Sequence, residues 1–260
     1  YERLLHSILF LQVKQPEHSE YLSYYYKCTR NLICAQSLMR FASRTAGFHV
    51  AQKTLTIAQK YQFTDICLTL AVLLRETVGF WGQKRKFDYY NKLVKEYFRV
   101  MEAEYRSDEL LDTYAIEVTY TSRTKQYLVN FGETILAEIQ QLESEHGSHL
   151  LKLNVYRHRI NLANIMDHPT DIIKACDDAI NYLTANPHLS QPARLGEFRL
   201  RKMMMQLLVR QSRDAIKDAD TVVDSFREGG NNWYIALYYA TAAAFHEEAF
   251  DLVERYLSLA

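Results

Sequence analysis

The 260-residue chain holds only 8 glycines and 4 prolines. Tight turns depend on those two residues, so their scarcity argues against a turn-dense, β-rich fold. Cysteine is sparse as well. Cys28, Cys34, Cys67 and Cys176 form no CxxC pair, and three of them sit inside apolar helical pattern. They read as small buried hydrophobes of a reducing compartment, the cytoplasm, and not as a disulfide frame. The longest apolar run, around 66–74, is interrupted by Thr69 and closed by Arg75. It falls well short of the ~18 residues that cross a bilayer, so no membrane span is expected, and no secretory leader is visible. Lys plus Arg (31) equal Asp plus Glu (31). Zero net charge argues against a general nucleic-acid binder, which gains affinity by neutralising phosphates.

Signatures of chemistry are missing too. The chain has no HExxH, no Cys-His cluster and no GxSxG, hence no patterned zinc site and no nucleophile elbow. The lone Gly229-Gly230 pair lacks the Lys-Ser/Thr of a phosphate loop. His146 and His149 straddle Gly147 and read as exposed turn residues. Asp171, Asp177 and Asp178, with Asp214, Asp218, Asp220 and Asp224, read as a solvated face rather than as acid–base pairs. No catalytic, metal or cofactor-binding residue is assigned, and a non-enzymatic chain is expected.

What is present is a repeat. Residues 171–183 read DIIKACDDAINYL and residues 214–226 read DAIKDADTVVDSF. At this offset, 43 residues from Asp171 to Asp214, Ile173, Lys174 and Asp177 fall on Ile216, Lys217 and Asp220. Ile172, Cys176 and Ala179 fall on Ala215, Ala219 and Val222, apolar or small on both sides. Self-similarity at ~20–50 residues is the mark of a solenoid.

Apolar periodicity predicts a helix over 1–14 and six antiparallel hairpins after it. The first pairs Glu17–Ala46, broken by Gly47, with 48–61. The others pair 63–81 with 85–105, 107–121 with 125–145, 148–167 with 169–185, 192–211 with 212–227, and 231–244 with 246–258. Thr64 or Asp65 and then Ser107 are the expected caps. The segment 114–121, rich in β-branched residues, reads as helix from its neighbours. Both ends fall inside helical pattern, so a chain cut from something longer is expected. The fold class is all-α: one right-handed α-solenoid domain over 1–260.

The last hairpin carries a resemblance. Trp233 and Ala249 stand at the spacing of the Trp and Ala of the tetratricopeptide repeat, followed by the apolar Phe250 and Val253. Leu237 and Ala240 stand where that consensus has Gly and Tyr, and the 43-residue offset exceeds its roughly 34. The chain thus resembles a degenerate TPR-like array. The stretches EYLSYYYKC (20–28), RKFDYYNKL (85–93) and NNWYIALYYATAAAFHEEAF (231–250) are also similar to a family of uncharacterised helical-repeat proteins of Bacteroidota, a likeness that implies fold and no activity.

Polar stripes mark the first helix of several hairpins. Asn154, Arg157, Asn161 and Asn164 share one face, as do Arg199, Lys202, Gln206 and Arg210, and Tyr24, Lys27 and Asn31. Asparagine is a poor helix former, so three on one face carry a local cost. These residues are the candidate partner-binding set. They line a groove for an extended protein or peptide segment on the concave face, or they are polar packing between hairpins. Arg157 with Arg199 and Lys202 also gives a basic strip. The expected function is a scaffold or adaptor. A peptide-sensing regulatory module of a larger protein and an RNA-binding solenoid are the alternatives.

Overall fold

The computed structural model describes residues 20–120 and 122–259. Among these are eleven α-helices, one short 3-10 turn (Pro187–Leu189) and no strand. The helix expected over 1–14 lies outside the described residues. The chain divides into two compact units, one up to Tyr105 and one from Arg106. The first unit holds α1 (Glu20–Phe41), α2 (Arg44–Lys60), α3 (Thr64–Phe80) and residues 84–105 of α4 (Lys84–Thr119). The second holds the rest of α4, then α5 (Lys125–His146), α6 (His149–Met166), α7 (Pro169–Ala185), α8 (Pro192–Leu208), α9 (Ser212–Val223), α10 (Asn231–His246) and α11 (Phe250–Leu259). Among the described residues no helix is long and apolar enough to cross a membrane.

Consecutive helices pack on one another from α1 to α3 and from α5 to α11. Two helices also touch the helix two places on, α1 with α3 and α8 with α10, as stacked hairpins require. The repeat seen in the sequence is a structural one. Helices α6 and α8 begin at His149 and Pro192, and α7 and α9 at Pro169 and Ser212, both 43 residues apart. The matched positions Ile172, Cys176 and Ala179 in α7 are buried, as are Ala215, Ala219 and Val222 in α9. In the first unit, side-chain bonds join equivalent helices of successive hairpins. Tyr25 of α1 donates to Asp65 of α3 (2.9 Å) and Gln59 of α2 to Tyr97 of α4 (2.8 Å). Their separations of 40 and 38 residues give the stacking period of this unit. Tyr61 donates to Glu20 (2.6 Å) and Thr64 to Glu104 (2.9 Å), each bond closing the open end of one hairpin.

Three local expectations differ from the structure. The first helix ends at Phe41, not at Gly47, and Gly47 lies inside α2. Ser43 caps α2, its Oγ accepting from the Ala46 amide at 3.2 Å. A Cβ on Gly47 would stand 2.5 Å from Met39 Cγ and 2.8 Å from the Ala35 carbonyl oxygen. The glycine is there because α1 and α2 meet backbone to backbone, not to break a helix. Ser107 does not start a helix either: α4 runs unbroken through it for 36 residues. Its side chain is fully buried and accepts from Asn154 of α6 instead of capping. Thr64, expected as a cap, bonds Glu104, and the residue at the cap position is Phe63. The β-branched segment near 114 is helical up to Thr119, because Leu110, Tyr114 and Val118 form one apolar stripe in the core of this part.

Gly47→Ala is expected to lower stability by about 1–3 kcal/mol through overpacking. Gly79→Ala, also in a helix but with its nearest neighbour 3.4 Å from a new Cβ, is expected to be neutral or slightly stabilising. Urea titration of both variants measures the contrast.

Candidate functional site

The first helices of three successive hairpins in the second unit form a groove of about 400 Å³. Helix α6 supplies Ile160 and Asn164, α8 supplies Glu197, Leu200, Arg201, Met204 and Met205, and α10 supplies Asn232 and Ile235. Ile172, from the start of α7, closes one wall. The α8 residues recur at helical spacing, so one face of that helix is the floor. Its other side is committed to the core. Phe198 and Met203 are buried there, and a Cβ on Gly196 would come within 2.4 Å of Ser225 Cβ. That close approach fixes how α8 is turned, and therefore which residues reach the groove. Met204, Met205, Leu200 and Ile235 make the floor apolar; Asn164, Glu197, Arg201 and Asn232 give it a polar rim. Among the described residues neither Glu197 nor Arg201 has an ion-pair partner.

Of the expected binding residues, Asn164 lines this groove. Arg157, Asn161 and Arg199 are half-buried outside it. Asn154 is fully buried, and its amide donates to Ser107 Oγ and to Asp108 Oδ1, both at 2.7 Å. Lys202 reaches back to Asp177 of α7 at 2.7 Å, and Gln206 is buried. The stripes thus divide along their length between packing and groove. Tyr24, Lys27 and Asn31 belong to the first unit. Tyr24 stacks on Tyr61 (centroids 4.5 Å), Lys27 sits 5.3 Å from the Tyr24 ring, and Asn31 is half-buried. Sequence reading missed Met204 and Met205 as groove floor. The signal was the run of three methionines at 203–205, whose unbranched side chains suit an adaptable apolar surface.

The acidic residues are not simply solvated. Asp178 pairs with Arg159 (2.9 Å), and Asp220 accepts from Tyr256 (2.6 Å) and pairs with Arg255. Asp177 and Asp220, equivalent in the repeat, each bond a residue of the following hairpin, Lys202 or Tyr256 with Arg255. Burial pushes the thiols up, Cys28 to about 11 and Cys67 and Cys176 to about 12, so all three are protonated at neutral pH. Among the described residues no three His, Cys, Asp or Glu side chains converge as metal ligands.

His149 was expected at an exposed turn and is buried instead. As the first residue of α6 it faces inward onto α7, its ring stacked with Tyr182 (centroids 5.7 Å) and its Nδ1 3.1 Å from the Tyr182 hydroxyl. Desolvation, reinforced by Arg194 and His188, drives its imidazole down to about 4. His158 is also fully buried, its Nε2 2.7 Å from the Gly132 carbonyl oxygen, and burial lowers it as well.

No family model matches the chain, and neither a curated protein nor a solved structure matches it.

The two histidines predict acid sensitivity. Their folded pKa values lie below the unfolded one, so the unfolded chain takes up the proton first. The neutral-ring contribution is complete above about pH 6.5 and is lost as pH falls from there towards 4. For His149 alone the loss is about 3 kcal/mol. Urea midpoints measured from pH 7.5 to 4.5 should fall steeply, and less so for His149→Gln.

Proposed function

We propose that the chain is a non-enzymatic, TPR-like helical-repeat module. It forms a right-handed α-solenoid that binds a protein or peptide segment on its first-helix face and serves as a scaffold or adaptor in the cytoplasm. The observation that carries this reading is the groove across α6, α8 and α10, built only of first helices and the start of α7. Its volume falls within the roughly 300–1,000 Å³ of ligand pockets. A methionine floor accepts apolar side chains of varied shape. Each asparagine on the rim can bond both the N–H and the C=O of an extended backbone, and Arg201 and Glu197 set the direction in which a charged segment lies. The groove is held by helices, so little ordering opposes binding. Nucleic acid fits less well. Lys202 of the basic strip is held by Asp177.

Peptides selected from a random display library on the immobilised protein should carry a large apolar anchor. Met204→Asp should weaken the selected peptide at least about tenfold in calorimetric titration, whereas Glu228→Ala, outside the groove, should not. Equal affinity for wild type and Met204→Asp would remove the groove from the function.

A further inference from the structure

The first unit carries a larger groove, of about 700 Å³, between α1 and α3 and beside the start of α2. Three of its lining residues stand open to solvent: Ile33 is 48% exposed, Phe41 79% and Phe80 74%. One exposed apolar side chain is ordinary, but three converging on one concavity mark a contact surface. Met39 and Leu73, both half-buried, continue the apolar lining.

Two arginines line the same space, Arg40 and Arg44. The Arg44 guanidinium lies over the Phe80 ring, 3.9 Å from its centroid. Stacking occupies the flat face of the guanidinium and leaves its N–H edge for other partners. That edge is the fork that grips a carboxylate through two parallel hydrogen bonds. Among the described residues neither Arg44 nor Arg40 has a carboxylate partner. Among the described residues of the lining, Glu76, one turn before Phe80 on α3, is the only acidic one, so cations exceed anions there. Arg44 is also the first residue of α2. A cation there opposes the helix dipole, so helix stability gives no reason for it.

We propose that this groove binds an acidic–apolar peptide segment, one that carries a carboxylate beside a large apolar side chain. The apolar group seats against Phe41, Phe80 and Ile33, and the carboxylate meets the guanidinium edges of Arg44 and Arg40. The site is separate from the groove of the second unit and takes a ligand of stated charge.

The probe is a fluorescein-labelled hexapeptide of alternating glutamate and phenylalanine, titrated by anisotropy beside its twin with glutamine for glutamate. The acidic peptide should bind at least about tenfold more tightly than the twin, and less tightly as salt rises. The double variant Arg40→Glu/Arg44→Glu should lose the acidic peptide and prefer a lysine–phenylalanine one. Phe80→Ala, which keeps both charges, should weaken binding of every peptide. Circular dichroism melts confirm that each variant is folded. Met204→Asp, in the other unit, should leave the affinity unchanged, which keeps this test independent of the methionine-floored groove. Absence of binding, equal binding of the acidic peptide and its twin, or an unchanged preference in the double variant would each overturn the proposal.

Discussion

Close approach of helix backbones is the constraint on which the rest of this structure depends. Where helices cross, the residues are small: Ala35, Ala51 and Ala58 in the first unit, and Ala175, Ala179, Ala215, Ala219, Ala236, Ala240, Ala243 and Ala244 in the second, all buried. At Gly47 and Gly196 even a methyl group would collide. Close crossings leave a helix little freedom to rotate about its axis, so each side chain is assigned to core or to surface. A single hairpin cannot bury its apolar face alone, and the stack forms because each covers its neighbour.

Aromatic and polar side chains work within that spacing. Tyr21, Tyr24, Tyr25, Tyr61 and Phe63 fill the wider gap near the start of α1, with Tyr61 bonded to Glu20. Where tyrosines run in pairs, helical geometry separates them: Tyr90 is 3% exposed and its neighbour Tyr89 56%. Polar links such as Asn154 to Ser107 or Asp177 to Lys202 add register between elements that apolar packing alone leaves able to slide. Each buried member is costly to orphan, which ties register to stability.

The periodic part of this arrangement was legible in the chain. The match of DIIKACDDAINYL to DAIKDADTVVDSF gives the 43-residue spacing of two hairpins, and the pairing of Cys176 with Ala219 marks a packing position. Non-periodic features were not. Nothing local shows that Ser107 faces Asn154, 47 residues on, so a serine that looks like a cap becomes an internal hydrogen-bond acceptor. Gly47 looks like a helix breaker because glycine serves both turns and close crossings. In the candidate site, Asn164 was visible as part of a polar stripe. Its stripe-mate Asn154, and Lys202 of the α8 stripe, were drawn into packing by partners on other helices. Arg44 over Phe80 joins residues 44 and 80, a contact with no sequence signal at all.

The proposed binding surface lies on the first helices, and photo-crosslinking locates it. A peptide selected on the immobilised protein is resynthesised with a benzophenone beside its apolar anchor, irradiated in complex, and the attachment site is mapped by mass spectrometry. Attachment within α8, at Met204 or Met205, or on the facing residues of α6 and α10, is the expected result. Attachment confined to α9 and α11, or to α7 beyond the Ile172 turn, would overturn that placement.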